Sequence, residues 1–271
     1  MTVPLTLGRS IAGADITLDP FETGHALFTG RTRAGKSSLV YAMLAQLKGL
    51  PAQLCGIDPT GILFNAIGGG LGGDSYRVMT LADPDRVRTV MSELLAEMDK
   101  RIKALLAAGR DKLTAKDFSS EFPLLLVVFE EYPGTLAALQ AIDQASGAKV
   151  AERIETRVRA AVQRLALEGA KVGIRLWMIS QRADASLLTG VLRSQLTQRF
   201  SFAQDADGLR MLHEGITPEE IALADRFLPG QAFAEIAGQL PLTRFRADFI
   251  DYEGLARIYA DTRAPISESD G

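Results

Sequence analysis

Residues 30–38 read Gly-Arg-Thr-Arg-Ala-Gly-Lys-Ser-Ser and fit the spacing G-x-x-x-x-G-K-[ST]. The chemistry that spacing serves is phosphate binding. Glycines let the backbone approach an anion, a lysine reaches the terminal phosphates, and a hydroxyl holds Mg²⁺. Gly30, Arg31, Thr32, Arg33, Ala34, Gly35, Lys36, Ser37 and Ser38 are therefore the expected nucleotide-binding set, with Lys36 at the β/γ-phosphates and Ser37 on the metal. A second chemical feature is the pair Glu130 and Glu131, directly after the apolar run 124–129. At such a strand end one carboxylate orients Mg²⁺ and the next polarises an attacking water. Glu130 is assigned to the metal and Glu131 to the water. Gln181, closing the stretch 174–179, is the candidate amide for sensing a γ-phosphate or holding that water. Asp58, followed by Pro59, either positions metal or water or closes an Asx turn.

These groups need elements to hold them. Residues 26–29 read as a short buried strand and 38–48 as a helix, stopped by Gly49 and Pro51. A helix N-terminus there turns free N–H groups and a dipole toward phosphate. Stretches 53–58, 124–129 and 174–179 read as further strands, 124–129 apolar throughout, as in a parallel sheet. Val87, Val90, Met91, Leu94, Leu95, Met98, Ile102 and Leu105 recur at three and four and predict a helix over 85–108. A second long helix is expected over 148–167. Residues 4–18 predict an introductory hairpin, 76–79 a short strand, 68–73 a flexible loop, and 200–203, 231–236 and 240–246 later strands, the last two a hairpin. Strands alternating with helices predict an α/β fold, a mainly parallel sheet flanked by helices with short N-terminal and C-terminal β-hairpins. Ligands on such sheets bind beyond the strands' carboxyl ends, so the loops after Thr29, Phe129 and Ile179 are expected to converge.

The bulk properties narrow the class. A chain of 271 residues with 47% hydrophobic content suits one large domain with a real core. The longest apolar run, 122–129, is too short to span a bilayer, and no signal segment opens the chain. A single cysteine, Cys55, rules out a disulfide framework and a cysteine zinc site, so a cytoplasmic location is expected. The net charge of −3 means that any contact with nucleic acid is a local cluster. The expected helix 148–167 carries Lys149, Arg153, Arg157 and Arg164 within roughly 80° of one another. That stripe either meets phosphates or is a solvated face with salt bridges.

Several stretches together resemble the motor of the FtsK/SpoIIIE DNA-translocase family, RecA-like P-loop NTPases that work as hexamers. They are the approach His25-Ala-Leu-Phe-Thr-Gly30, the strand end Gly56-Ile-Asp58-Pro59, the helix segment Glu97-Met98-Asp-Lys-Arg101, the acids after 124–129, the run from Gly173-Ile174-Arg175-Leu176 to Ser180-Gln181-Arg182, and the later blocks at Arg199, Asp207-Gly-Leu-Arg210 and Leu228-Pro-Gly230. The resemblance spans about residues 3–250, and its phrasing around Asp58 and Glu131 is most similar to short plasmid-transfer, mobile-element or phage members. Glu130 stands where the family has Asp, Thr60 where it has Lys, and Ala183 where it has Pro.

The resemblance implies a β lead-in over 1–24, an ATPase domain over 25–262 and a disordered tail over 263–271. It implies ATP and Mg²⁺ as cofactors, double-stranded DNA as partner, a homo-oligomeric ring of six, and membrane recruitment, if any, through a partner. The stretch 109–116 stands where the family has a pore loop. Arg110, Lys112 and Lys116 therefore join Lys149, Arg153 and Arg157 as DNA-contact candidates. A neighbour's arginine completes such sites, and Arg199 and Arg210 match arginines of the later blocks, with Arg182 and Arg193 as alternatives. Two other functions remain open: a ring of the same fold that moves protein in secretion, and a nucleotide-binding switch or scaffold.

Overall fold

Ten strands join into one sheet among residues 3–182 and 189–260, the residues that the computed structural model describes. Ala183 and the expected tail 263–271 lie outside them. The strands are β1 (Leu5–Ser10), β2 (Asp15–Leu18), β3 (Ala26–Thr29), β4 (Ala52–Ile57), β5 (Arg77–Val78), β6 (Leu124–Phe129), β7 (Ile174–Ser180), β8 (Gln198–Phe202), β9 (Gln231–Ile236) and β10 (Leu240–Ala247). Their order is β2-β1-β10-β9-β8-β3-β7-β6-β4-β5. From β8 to β5 all neighbours run parallel. From β8 to β2 all run antiparallel, so the two hairpins extend one edge of the parallel sheet. The fold is the expected P-loop α/β sheet, mainly parallel and flanked by helices.

Helices α1 (Lys36–Gln46), α2 (Ile62–Ile67), α3 (Pro84–Ala107), α4 (Tyr132–Ala145), α5 (Ile154–Glu168), α6 (Gly190–Gln195), α7 (Ala206–Leu212), α8 (Pro218–Asp225) and α9 (Tyr252–Ile258) complete the described residues. Side chains alternate across a strand, and β6 shows the result. Leu124, Leu126 and Val128 join a core with α1, α2 and α9, whereas Leu125, Val127 and Phe129 join a second core with α3, α4 and α5. Burying each such side chain contributes about 1.5–3 kcal/mol, which is why a strand with no polar face is stable only between two helical layers.

Two pinning residues explain stretches that carried the family resemblance. His25 is buried; its Nε2–H donates to the Ala166 carbonyl (3.0 Å) and its Nδ1 accepts from the Leu176 N–H (2.9 Å), tying β3 to α5 and β7. Arg101 on α3 reaches Glu97 (2.9 Å) and the carbonyls of Val172 (3.2 Å) and Pro123 (3.0 Å), at the starts of β7 and β6.

The structure corrects three expectations. The helix after the phosphate loop begins at Lys36, two residues earlier than read, because Gly35 itself is its cap. The expected helix 148–167 is a short 3-10 turn (Val150–Glu152) followed by α5. Its apolar period carries across the break, but Val150 is 63% exposed, and α5 is capped from outside by buried Asp143, which accepts from the N–H groups of Ile154 (2.9 Å) and Glu155 (3.0 Å). Helix α4 fills the stretch after Glu131, where no helix was expected.

Candidate nucleotide site

The phosphate loop departs from β3 with Gly30 at φ +144°, where a Cβ would fall 2.6 Å from that of Phe202. Gly35 at φ +114° turns the chain into α1, and Arg33 is also left-handed at φ +65°. The loop is fixed from both sides: the Arg31 N–H donates to the Ala203 carbonyl (2.7 Å) and the Gly230 N–H to that of Ala34 (2.8 Å). Lys36 is buried and its ammonium folds back on the carbonyls of Gly30 and Arg31. Burial lowers its pKa, opposed by the charges of Glu131 and Glu130. Arg31 pairs with Asp225 (2.9 Å) at the surface.

Behind the loop runs a buried polar chain. Gln204 Nε2 donates to the Thr29 hydroxyl (3.0 Å), which lies 3.3 Å from Ser201 Oγ. Ser201 Oγ sits 2.7 Å from His213 Nε2, and His213 Nδ1 is 2.7 Å from the Glu235 carboxylate. The arrangement that satisfies all of them has His213 donating to Glu235 and accepting from Ser201. Burial lowers the His213 pKa while Glu235 pulls it back up.

The acids sit where the parallel sheet ends. β6 lies between β4 and β7, and β7 beside β3, so the loops after Thr29, Phe129 and Ser180 meet as expected. One cavity is lined by Ser37, Tyr41, Glu130, Glu131, Gly134 and Gln181, among others. Glu130 is pushed up to about 7, first by burial and then by the charges of Asp58 and Glu131, with Lys36 opposing. Glu131 is also raised by burial, while a hydrogen bond from the Gln181 backbone and the Lys36 charge pull it down. Thus the main chain of Gln181 holds Glu131, a contact that side-chain reasoning missed. Glu131 adopts φ +51° and ψ +62°, a left-handed conformation at the cap of α4 that turns the chain by one residue between strand and helix. Gly134 leaves room for it: a Cβ there would stand 3.2 Å from Glu131 Cγ.

Asp58 is resolved in favour of the turn. Fully buried, its carboxylate accepts from the Thr60 N–H (3.1 Å) and hydroxyl (2.8 Å) and from the N–H groups of Leu63 (2.8 Å) and Phe64 (3.3 Å). It closes an Asx turn and caps α2, and Thr60, in place of the family's Lys, completes that turn.

Among the described residues no group of three or more His, Cys, Asp or Glu is arranged to hold a metal ion. Mg²⁺ in general binds through one or two protein oxygens plus substrate phosphates. Ser37 and Glu130 offer hard oxygen donors of that kind on the shared cavity. A second cavity, which shares Ser37 with the first, is walled by Gly35, Lys36, Ser38, Gly230, Arg246 and Phe249 among others. The residues from 246 to 249 and Tyr41 were not foreseen. The first group lies some two hundred residues from the loop, and only the family-like Pro229-Gly230 hinted at it.

The arginine candidates separate. Arg199 is spent within its own chain: its guanidinium donates to the carbonyls of Leu196 (3.0 Å), Leu212 and Arg193 (3.3 Å), with Glu235 at 3.8 Å. It is an internal brace, which corrects its assignment as an arginine for a neighbour's site. Arg210 is exposed and, among the described residues, pairs only with Asp207 (3.3 Å) on its own helix; it shares a cleft with Arg193 and Arg199. Arg182 is exposed, 3.6 Å from Asp205.

The DNA-contact candidates are not one stripe. Lys149 and Arg153 precede α5, so the helical stripe with Arg157 and Arg164 does not exist. Arg153 and Arg157 donate to the carbonyls of Ala148 (3.4 Å) and Ala151 (3.2 Å), and Arg164 pairs with Asp99 and Glu168. Arg110 is held by Asp117 (2.6 Å), while Lys112 and Lys116 are exposed. This second stretch precedes β6, at the end of the sheet opposite Glu130. Among the described residues no helix is long and apolar enough to cross a membrane.

Comparison with known proteins bears on the whole chain. The FtsK/SpoIIIE family model matches residues 1–185. The DNA translocase FtsK of Treponema pallidum is 24% identical over 285 residues, covering 97% of this chain and 32% of that protein. That of Borreliella burgdorferi is 27% identical over 220 residues, covering 74% and 25%. The chain thus spans about a third of these relatives' length or less. Among solved structures, the pCW3 conjugation coupling protein TcpA, in monomer form with ATPγS, superposes with a TM-score of 0.69 at 20% identity, covering 97% of this chain and 71% of that one. ATPases 2 and 3 of EssC from Geobacillus thermodenitrificans give 0.72 at 17% identity, covering 96% and 48%. At these identities the likeness is one of fold.

Proposed function

The chain belongs to the FtsK/SpoIIIE family, and from that premise we propose that it is an ATP-driven motor that moves double-stranded DNA, working as a homo-oligomeric ring. The observation that carries the reading is the single cavity onto which Ser37, Glu130, Glu131 and Gln181 all open, beside the buried Lys36. Lys36 exchanges the loop carbonyls for the β/γ-phosphates, and its charge offsets that of the transferred phosphoryl group. Ser37 and Glu130 would hold Mg²⁺, which neutralises phosphate charge when bound. Glu131, turned toward the cavity and steadied by the Gln181 N–H, accepts the proton of the attacking water; its raised pKa makes it a better base than an ordinary surface carboxylate. In the ring, Arg210 or Arg193 of a neighbour would supply the remaining positive charge. Exposed Lys112, Lys116 and Lys149 are the DNA-phosphate candidates whose side chains, among the described residues, are uncommitted to internal partners. Such contacts bind without regard to sequence and weaken with salt.

The test is the ATPase rate in Mg²⁺ with and without linear double-stranded DNA, at low and moderate salt, with Lys36→Ala as the blank. Stimulation that fades as salt rises supports the DNA motor. Brisk turnover indifferent to DNA sinks it and favours a ring that moves protein. No turnover under any condition favours a nucleotide-binding switch or scaffold.

A further inference from the structure

Tyr41 stands on α1 one helical turn after Ser37, so the two side chains share a face of the helix. Both open on the cavity that holds Glu130 and Glu131. The Tyr41 ring is half-buried and packs on the core beneath, and its hydroxyl has no hydrogen-bond partner among the described residues. Three carboxylates lie on or next to that cavity, and their donors can be counted. Asp58 accepts four hydrogen bonds, two from Thr60 and one each from Leu63 and Phe64, about the number that its two oxygens can hold. Glu131 has the Gln181 N–H. The Glu130 carboxylate, half-buried, has no donor among the described residues. Burial, and then the charges of Glu130 and Asp58, push the Tyr41 hydroxyl up to about 12, so it remains an O–H donor and stands within electrostatic reach of both acids.

We propose that Tyr41 is a positioning residue for the metal end of the site: its hydroxyl donates to the Glu130 carboxylate and fixes the edge that Glu130 turns toward Ser37. The proposal rests on the reading of Ser37 and Glu130 as the Mg²⁺ donors. A glutamate has one more rotatable bond than an aspartate, and freezing it when a cation binds costs side-chain entropy. A donor that holds one carboxylate oxygen removes part of that cost and leaves the other oxygen for the cation. The remaining candidates for this task are engaged elsewhere. Lys36 is folded onto the carbonyls of Gly30 and Arg31. The Thr60 hydroxyl donates to Asp58 (2.8 Å), and the Thr135 hydroxyl donates to the main-chain carbonyl of Glu130 (3.3 Å) and not to its carboxylate. The phenol of Tyr41 is the hydroxyl left for Glu130 on the wall opposite the metal side.

Tyr41→Phe tests this on the full chain, because phenylalanine keeps the packing of the ring and loses only the donor. The probe is ATPγS, bound once in excess Mg²⁺ and once in EDTA; the ratio of the two affinities is the share that the metal end supplies. In Tyr41→Phe that ratio is expected to fall about tenfold, the effect of removing a hydrogen-bond partner of a metal ligand. The affinity in EDTA and the melting temperature are expected to stay as they were. Glu130→Gln is expected to lower the ratio too, and adding Tyr41→Phe to it to change nothing further, because the hydroxyl acts through that carboxylate. An unchanged ratio in Tyr41→Phe overturns the proposal. So does an equal loss in Mg²⁺ and in EDTA, which marks a packing role, and so do losses that multiply in the double variant. If Glu130→Gln leaves the ratio untouched, the Mg²⁺ reading of Glu130 fails; if the original chain binds ATPγS in neither condition, the phosphate-loop reading fails; either result takes this proposal with it.

Discussion

At the scale of single residues, Glu131 and Asp58 show how two carboxylates a few ångströms from one site differ in use. Glu131 has one backbone donor and an open cavity in front of it; Asp58 is fully buried with four donors. Glu131→Gln keeps the shape but not the base, so ATP binding is expected to persist while turnover falls by about 10²–10⁴-fold. An equilibrium binding measurement beside a steady-state rate checks this, and turnover near the original level would remove Glu131 from the chemistry. Asp58 acts on the site only through its charge, which holds Glu130 up. In Asp58→Asn the Glu130 pKa is expected to fall from about 7 toward the ordinary carboxylate range, read by carboxyl-carbon NMR titration. A value that stays put would mean that burial alone raises it. Because a metal ligand must be deprotonated, affinity for a divalent cation is expected to weaken as pH falls below about 7 in the original chain and at lower pH in Asp58→Asn. The acid pair was legible because two charges directly after six apolar residues have no place in a core. The role of Asp58 was not, since an Asx turn and a metal ligand ask for the same residue at the same strand end.

At the scale of elements, the parallel strands and α3 were legible because their pattern is set by burial on a strict period. Helix α4 was not, since its Ala- and Gln-rich face carries little apolar contrast and Pro133-Gly134 at its start looks like a turn. The break before α5 was hidden for the opposite reason: Val150 keeps the helical period although it is exposed, and the cap comes from Asp143 on another helix. His25 shows what holds such elements together and how pH tests it. Burial, with the nearby Arg175 charge, lowers its pKa from the ordinary 6.5 to about 4, against the pull of the Ala166 carbonyl. The unfolded chain takes up this proton below 6.5 and the folded one only near 4. The His25 contribution to stability is thus complete above 6.5 and lost as pH falls toward 4. Urea unfolding of the original chain and of His25→Gln is expected to give a stability difference that shrinks by up to ~3 kcal/mol over that range. A difference indifferent to pH would mean that His25 does not titrate in this way. Glu130, with its raised pKa, works in the opposite sense between about 4.5 and 7, so the difference between the two chains is the informative quantity.

At the scale of the whole molecule, a proposed ring places its demands on the surface. Arg210, Arg193 and the braced Arg199 line one exposed cleft, so removing the exposed Arg210 tests assembly or trans chemistry without disturbing the fold. Arg210→Ala is expected to keep its melting temperature within a few degrees and lose most of any DNA-stimulated turnover, with light scattering to separate lost assembly from lost chemistry. Full turnover in that variant would pass the role to Arg193 or Arg182. The sheet's own closure has a different consequence. Gly8 of β1 pairs with Ala247 of β10, so closely that a Cβ on Gly8 would stand 2.0 Å from the Arg246 carbonyl. On the ribosome β1 emerges early and its partner late. At about 5–20 residues per second the nascent chain carries an open strand edge for roughly tens of seconds. An unpaired edge is a template for mispairing. The first hairpin made is therefore the last to find its place, and it is the part of this chain that most needs shielding while the rest is synthesised.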